Sequence, residues 1–414
     1  MALQIPPALK YRKFTLLWAG LMISVAGSQM QVWALLWHIR ILSSQPIVVS
    51  GIGAVRFLPI LIFSLLSGLV ADMFNRRLIM GITQTSMALV ALALAWLTYT
   101  GQIQVWHIYL LTAIQAVATS FDLPARQALV PNLVPKEVLP SAFSMQSIAF
   151  DLGAILGPAL SGLVIGYMGL QAVYLINAIS FGAVLAALFL MGPVPQQNAA
   201  ASRRTINLGT LTEGIRFIWQ RPIILSSMLL DFFATFFSSA NTLLPFVARD
   251  ILKVGAVQYG WLSAAQSIGA VGAGVVLSQR TTIRKQGALL LGGVGVFGLA
   301  TILFGFSRSL PLTMASLILV GVGDSVSTII RNTVRQMQTP DSMRGRMVSI
   351  NQIFFSGGPQ LGEIEAGLAA QALGIPASIV IGGIGCILVT GWIARRWPQL
   401  RRYNGDEPLL VEAG

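Results

Sequence analysis

The sequence predicts an all-α membrane protein with twelve transmembrane helices in two pseudo-symmetric six-helix halves. Charged residues make up only 10% of its 414 residues, against about 25% in a typical soluble protein. Hydrophobic residues reach 55%, which leaves too little polar surface for a soluble fold of this length. Twelve long apolar stretches and an internal repeat support the same fold class. Composition therefore excludes an ordinary soluble enzyme and a disordered chain.

The apolar stretches are long enough to be transmembrane helices, since a helix needs about 20 mostly apolar residues to cross the hydrocarbon core. The predicted spans are Phe14–His38, Val48–Ala71, Leu78–Tyr99, Val105–Leu123, Ser141–Met168, Ala172–Met191, Ile223–Val247, Val257–Gln279, Gln286–Phe306, Leu310–Ile330, Met347–Leu373 and Pro376–Ala394. The eleventh span contains two glutamates and is the least hydrophobic of the set.

The distribution of basic residues predicts the orientation. Of the 27 Lys and Arg residues, 22 fall in the two terminal segments and in the loops after the even-numbered spans. Because cytoplasmic loops carry an excess of Lys and Arg, both termini are predicted to be cytoplasmic. This asymmetry accounts for the net charge of +13 without a nucleic-acid partner. We therefore expect a multi-pass protein of a bacterial inner membrane.

The longest connection divides the chain into two halves. Residues 1–191 form the predicted N-terminal half and residues 223–396 the C-terminal half, joined by a cytoplasmic linker at 192–222. Within the linker, Leu208–Trp219 predicts a short helix on the inner membrane surface, with an unstructured connection as the alternative. Residues 397–414 are expected to be a disordered tail.

An internal repeat relates the two halves. A shift of 205 residues places Gly157 on Gly362, Gly162 on Gly367, Gly169 on Gly374 and Arg126 on Arg331. Such repeats are typical of secondary transporters, in which the substrate site lies near the bilayer midplane between the repeats.

A loop motif follows the second span. Gly68, Asp72, Arg76 and Arg77 resemble the signature Gly-x-x-x-Asp-Arg-x-Gly-Arg-Arg of the major facilitator superfamily, with Met73 and Asn75 replacing an arginine and a glycine. The resemblance covers nearly the whole chain and implies the major facilitator fold. It also implies that these residues, together with Asp122 and Arg126, hold the cytoplasmic side closed in one state of alternating access. Gly68 is expected to permit close helix approach, and Asp122 to pair with Arg76 or Arg77.

A second motif lies in the fifth span. Gly153, Gly157, Pro158 and Gly162 resemble the antiporter motif of the superfamily, with Ser144 and Ser161 replacing two glycines. The alternative is an ordinary seam of small residues. Since family members that carry this motif are mostly exporters, the resemblance implies outward transport.

Two loops indicate which branch of the superfamily the sequence resembles. The segments 121–135 and 340–346 are similar to the drug:proton antiporter branch that includes enterobactin and macrolide exporters. This branch implies that protons drive the export of a drug or siderophore-like compound.

Ionisable residues inside spans are candidate functional sites by default, because burying a charge in the membrane is costly. Asp151 and Asp231 lie nearest the midplane and are candidates for proton coupling or for contact with a cationic substrate; hydrogen bonding to a neighbouring helix is the alternative. Asp324 and Arg331 are predicted to form a gate in the second half, with Arg280 or Arg284 as possible partners of Asp324.

A further ion pair is predicted from the depth at which charged residues lie in the membrane. At 1.5 Å per residue, Arg56 lies about 12 Å below the outer end of the second span. By the same measure, Glu365 and Glu363 lie about 12 and 15 Å below the outer end of the eleventh. In the superfamily these two spans face each other, which implies that Arg56 pairs with Glu363 or Glu365 when the protein opens inward. A permanent structural pair is the alternative.

The sequence contains no phosphate-binding loop, His-Glu-x-x-His motif or nucleophile elbow, so we expect a transporter and not an enzyme. No metal or organic cofactor is expected; the expected partners are a small-molecule substrate, protons and the lipid bilayer. Two alternatives remain open. One is uptake, facilitated diffusion or lysophospholipid transport on the same fold, and the other is a non-transporting membrane receptor.

Overall fold

The computed structural model describes residues 6–195, 208–280, 283–340 and 343–405. Over these ranges the chain is helical, without a β-strand. The helices are α1 (Arg12–Leu42), α2 (Pro46–Met73), α3 (Arg76–Tyr99), α4 (Val105–Leu129), α5 (Leu139–Met168), α6 (Leu170–Met191), α7 (Leu208–Gln220), α8 (Pro222–Ser238), α9 (Leu244–Phe246), α10 (Ala256–Ser278), α11 (Gln286–Phe306), α12 (Leu310–Met337), α13 (Arg344–Leu373), α14 (Ile375–Arg396) and α15 (Pro398–Arg402).

Eleven segments of the described chain have the length and composition to cross a membrane, with mean hydropathy of 1.2–2.2 over 18 residues. The twelfth is α13, which has 30 residues and is about 45 Å long. Its polar residues, including Glu363 and Glu365, lower its hydropathy. Large apolar side chains on the spans face outward, such as Ile179 at 67% and Leu388 at 67% exposure. Such surfaces suit contact with lipid, and the predicted all-α fold with twelve spans is confirmed.

The chain divides into two compact units. One comprises residues 1–44, 54–203 and 254–264, and the other comprises residues 45–53, 204–253 and 265–414. The first turns of α2 therefore belong to the C-terminal unit, and the first turns of α10 to the N-terminal unit. Each unit thus includes the beginning of one helix from the other half of the sequence.

Helix contacts within each unit repeat. In the N-terminal unit α1 packs against α5 and α6, while α3 packs against α4 and α6. In the C-terminal unit α8 packs against α13 and α14, while α11 packs against α12 and α14. Counted by span, these are the same four pairs, so the repeat predicted from the sequence is present in the packing.

The backbone carries the repeat as well. Gly169 between α5 and α6 has φ 84°, and Gly374 between α13 and α14 has φ 87°. These glycines are the pair that the 205-residue shift superimposes. Positive φ strains residues that have a Cβ atom, so glycine allows an immediate helix-to-helix connection at both positions.

The seventh span is interrupted, contrary to the single helix predicted over Ile223–Val247. Helix α8 ends at Ser238, and the chain continues through a 3₁₀ turn at Asn241–Leu243, the single turn α9 and a π-helical turn at Val247–Ile251. Serine and asparagine side chains compete with the helical backbone hydrogen bonds, and Pro245 lacks an N–H group. These residues explain the break.

Two further boundaries differ from the prediction. Helix α12 continues to Met337, two turns beyond the predicted end at Ile330, and carries Arg331 and Arg335 with it. The segment after Trp397 is ordered as far as it is described. There α15 is followed by Tyr403, which is 2% exposed and whose carbonyl oxygen accepts a hydrogen bond from the N–H of Gly287 (2.9 Å). The prediction of a disordered tail from residue 397 is therefore wrong for Pro398–Gly405; residues 406–414 lie outside the described residues.

The predicted linker helix is present as α7, after residues 196–207, which lie outside the described ranges. It packs against α13, where Arg346 and Glu213 form an ion pair at 2.8 Å. Ile218 on α7 joins a buried cluster with Met228 of α8 and Met347 and Ile350 of α13. The helix is therefore docked on the C-terminal unit by apolar contacts.

Candidate substrate and coupling sites

A buried cluster of charges joins α8 and α12 in the C-terminal unit. The Arg331 guanidinium lies 2.8 Å from the Asp231 carboxylate, and that of Arg335 lies 3.5 Å from the other carboxylate oxygen. All three side chains are at most 2% exposed. Arg335 also donates to the carbonyl oxygen of Arg331 at 3.1 Å. One carboxylate thus neutralises part of the charge of two guanidinium groups.

Hydroxyl groups extend this cluster along α12. Arg331 donates to Ser327 at 2.9 Å and to Thr328 at 2.8 Å. The Asp324 carboxylate, on the same helix, lies within electrostatic range of Arg331 and Asp231. The structure therefore brings together three predicted site residues, Asp231, Asp324 and Arg331. With both acids ionised, the two acids and two arginines are electrically balanced.

Asp324 also lines a cavity of about 140 Å³ in the C-terminal unit, at the interruption of the seventh span. The end of α8, the 3₁₀ turn and helices α10, α11 and α12 supply most of its walls. A cavity needs roughly 10–15 Å³ to hold one water molecule, so this one has room for several.

In the N-terminal unit the predicted pairing of Asp122 with Arg76 or Arg77 is wrong. One oxygen of the buried Asp122 carboxylate accepts hydrogen bonds from Thr83 and Gln84, both at 2.9 Å. Asp122 faces the third turn of α3, whereas the two arginines lie in its first turn. Their Nε atoms donate to the carbonyl oxygens of Ala71 (3.1 Å) and Leu188 (2.8 Å).

The remaining positions of the loop motif are Gly68, Asp72 and Asn75. No described heavy atom lies within 4 Å of a Cβ built on Gly68, so the close approach expected there stays a prediction. The side chain of Asp72 lies outside the described residues. Asn75, which replaces a glycine of the family signature, accepts from the N–H groups of Arg77 (3.0 Å) and Leu78 (3.3 Å) and caps α3.

Arg126 and Asp151 share a cavity of about 350 Å³ in the N-terminal unit. Trp18, Gln127 and Gln146 line it as well. Its walls therefore offer one cationic group, one anionic group and two side-chain amides to a polar ligand. The sequence predicts Arg126 in the gate and Asp151 in proton coupling or substrate contact, without indicating that the two lie together.

The small residues predicted as the antiporter motif form a tight seam. A Cβ on Gly153 would lie 2.6 Å from Val25 Cγ1, and one on Gly157 would overlap Cβ of Gln29. On the other side, a Cβ on Gly162 would lie 2.6 Å from the Cα atom of Gly260. Since α5 carries Pro158 between these contacts, the seam permits close packing against α1 and the start of α10.

Glu363 lies on α13 beside the first turns of α2. A Cβ on Gly53 would lie 2.8 Å from Glu363 Oε2, and one on Gly367 would overlap the Ser50 side chain. The start of the second span and the eleventh span are therefore in contact within the C-terminal unit. Arg56 follows Gly53 by three residues on the same helix, and Glu365 is half-buried.

A buried polar network in the N-terminal unit was not predicted. Gln31 donates to Gln115 at 2.6 Å and accepts from Asn177 at 2.7 Å, which links α1, α4 and α6. On the same face of α1, His38 is 3% exposed and hydrogen-bonds the hydroxyl of Tyr174 at 2.9 Å. Neutral amides and single histidines in apolar helices give little sequence signal beyond their polarity.

Comparison with known proteins agrees with this architecture. The model of the family described as transmembrane secretion effector matches residues 6–407. The chain is 26% identical over 391 residues to the multidrug efflux pump Tap of Mycolicibacterium fortuitum, covering 92% of this chain and 94% of that protein. It is 27% identical over 354 residues to the enterobactin exporter EntS of Escherichia coli O6:K15:H31, covering 84% and 83%. In fold it is similar to a bacterial homologue of the human lysosomal transporter Spinster, with a TM-score of 0.72, 15% identity, and coverage of 95% and 98%.

Proposed function

Because this chain belongs to the transmembrane secretion effector family of the major facilitator superfamily, we propose that it is a proton-coupled exporter of a small organic compound. It is a multi-pass membrane transporter and not an enzyme. The direction is proposed from its similarity to two efflux proteins along more than four fifths of their length. The bacterial inner membrane, with both termini in the cytoplasm, is the proposed location on the basis of the basic loops.

The observation that carries proton coupling is the buried network on α8 and α12. Asp231 binds Arg331 and Arg335 where all three side chains are at most 2% exposed, and Asp324 lies within electrostatic range of both Arg331 and Asp231. Protonation of Asp324 removes its attraction for Arg331, so that Arg331 interacts with Asp231 alone. Loss of the proton restores the competition between the two acids. We propose that this competition links proton transfer at the cavity to the strength of the α8–α12 contact.

The gates are proposed from the motifs and from charge. Gly68, Asp72, Arg76, Arg77 and Arg126 are assigned to the cytoplasmic gate of the first half, and Asp324 and Arg331 to that of the second. Arg56 is assigned to an outer gate with Glu363 or Glu365. The packing of Gly53 beside Glu363 supports this pairing, because Arg56 is less than one helical turn further along α2.

The two cavities provide candidate substrate contacts. Asp151 and Arg126 line the one in the N-terminal unit, and Asp324 lines the one in the C-terminal unit. Zwitterionic, cationic and siderophore-like compounds all offer groups that these side chains can bind. The substrate class is therefore a question for direct measurement.

The test is proton release in everted membrane vesicles with an acidic interior, followed with a pH-quenched dye. Lipophilic cations, macrolides and siderophores are added singly to vesicles that contain the protein. Dequenching by one compound class, absent from vesicles without the protein and weakened in Asp231→Asn or Asp324→Asn, supports proton-coupled export. Silence across the panel with folded protein rejects this function and favours uptake, lipid transport or a receptor role.

The same assay separates the proposed outer gate from the second-half network. Glu363→Gln and Glu365→Gln are compared with Glu137→Gln, a change on the exposed surface. We expect one of the first two to transport without its normal proton dependence. Normal proton-dependent transport in both variants rejects the coupling role of the outer gate.

A further inference from the structure

The cavity at the interruption of the seventh span is lined by one acidic side chain and, among the described residues, by no basic side chain. Asp324 supplies a carboxylate to its wall, and Asn241, Gln266 and Thr301 supply neutral polar groups. Its lining includes no Lys, Arg or His among the residues that the structure describes. Arg331 lies behind Asp324, bonded to Thr328 and Asp231. The charge that faces the cavity is therefore negative.

The broken helix adds partial negative charge to the same wall. Thr235, Ser238 and Ser239 at the end of α8 line the cavity. The last carbonyl groups of a helix have no intrahelical partner and form the negative end of its dipole. In α8 one of them, that of Ser238, accepts from the N–H of Ala240. A continuous seventh helix would bond these carbonyl groups within itself and present no such end.

Two aromatic rings complete the cavity. Phe297 and Phe304, on one face of α11, are 6% and 2% exposed and both line it. A phenyl face attracts cations, and quaternary ammonium ligands are often bound by such rings. The apolar side chains of Leu317 and Val320 lie beside them and accommodate methyl groups better than a hydrated metal ion.

The volume limits the size of the ligand. At about 140 Å³ the cavity is well below the roughly 300–1,000 Å³ of sites for drug-sized molecules. We infer that it binds a small organic ammonium group, held by Asp324, by the carbonyl end of α8 and by the rings of Phe297 and Phe304. This site extends the proposed function, because it assigns ammonium compounds to the exporter's substrates.

The test measures binding without transport. Purified full-length protein in detergent is titrated calorimetrically with choline and tetramethylammonium. Two comparison ligands are 3,3-dimethylbutan-1-ol, a neutral molecule of the same shape as choline, and sodium chloride. We expect saturable binding of the ammonium compounds and none of the neutral isostere.

Variants locate the site. Asp324→Asn is expected to weaken ammonium binding roughly 10- to 100-fold, as loss of a charged partner does, whereas Glu137→Gln on the exposed surface leaves it unchanged. Phe304→Leu keeps the acid, and is expected to weaken binding roughly twofold to 30-fold through the lost cation–π contact. If Asp324→Asn does not fold, Phe304→Leu and the neutral isostere still decide the question.

Each contrary result is distinct. Equal binding of the neutral isostere, undiminished binding in both variants, or binding of sodium alone overturns the ammonium site. Binding that behaves as expected while the vesicle assay stays silent retains the site and rejects export. Export of another compound class without ammonium binding retains the proposed function and rejects this inference.

Discussion

Arg331 on α12 and Asp231 on α8 form an ion pair at 2.8 Å inside the C-terminal unit, with side chains that are 2% and 1% exposed. The two residues are separated by 100 positions in the sequence. Desolvating such a pair costs much of what its attraction returns, so stability alone is a weak reason to bury it. Its electrostatic interaction with Asp324 is the basis of the coupling role proposed above.

The first prediction concerns the cost of breaking this pair. Asp231→Asn leaves Arg331 and Arg335 buried without their carboxylate, and we expect it to destabilise the protein by about 3–5 kcal/mol. Arg331→Gln is expected to cost less, because Arg335 still faces Asp231. Thermal unfolding in detergent, followed by tryptophan fluorescence, measures both changes.

The double variant Asp231→Asn/Arg331→Gln is the control for this interpretation. It removes Arg331, one of the two cations that Asp231→Asn leaves without a carboxylate, so its cost is expected to be smaller than the sum of the two single changes. A coupling of about 0.5–3 kcal/mol is typical of residues in contact. Additive costs would contradict a direct electrostatic interaction.

A second prediction concerns Asp122, whose partners are the neutral side chains of Thr83 and Gln84. Asp122→Ala leaves the buried amide of Gln84 without this acceptor, whereas Thr83 can still donate to the carbonyl oxygen of Met80 (3.1 Å); an unsatisfied buried donor costs about 1–3 kcal/mol. Asp122→Asn keeps an acceptor oxygen and is expected to cost clearly less. The measurement is again thermal unfolding. Equal costs for the two variants would show that charge, and not hydrogen bonding, holds this site.

Sequence patterns predict the spans, the linker helix and the repeat because these depend on local hydropathy and on glycine spacing. They did not predict the burial of Arg331 and Arg335. Arginines that follow an apolar run are typical of a cytoplasmic loop, whereas here α12 continues for two more turns. The Asp231 carboxylate on a distant helix, together with hydroxyl groups within α12, stabilises the buried arginines of this continuation.

The interruption of the seventh span was missed for a related reason. Hydropathy averaged over about 20 residues is little affected by Ser238, Ser239 and Asn241, although each of these residues is a weak helix former. The partners of Asp122 were missed because arginines were considered and neutral hydrogen-bond donors were not. The candidate sites in the structure thus differ from the expected ones mainly in side-chain pairs between distant parts of the sequence, which the sequence pattern does not reveal.

A third prediction tests the ordered segment after α14. Tyr403 accepts a hydrogen bond from Gln338 at 3.2 Å and is buried against α11. Tyr403→Phe removes only the hydroxyl and is expected to cost about 1 kcal/mol, whereas Tyr403→Ala opens a cavity and costs about 3–5 kcal/mol. Comparing the unfolding temperatures of the two variants tests this difference. Unchanged stability in Tyr403→Ala would show that the segment is not docked in solution.

The last prediction separates tight packing from helix propensity on two glycines of the N-terminal unit. A Cβ on Gly157 in α5 would overlap Gln29 and lie 3.1 Å from its backbone carbonyl carbon, whereas one on Gly182 in α6 has no described atom within 4 Å. Gly157→Ala must push α5 away from α1, and we expect a loss of about 1–3 kcal/mol. Gly182→Ala meets no obstacle and is expected to raise stability by about 0.5–1 kcal/mol, since alanine is the better helix former. Thermal unfolding of the two variants under identical conditions measures the contrast. Stabilisation by both changes would mean that the α1–α5 seam is looser than this packing requires, and the antiporter motif would then have no role in holding these helices together.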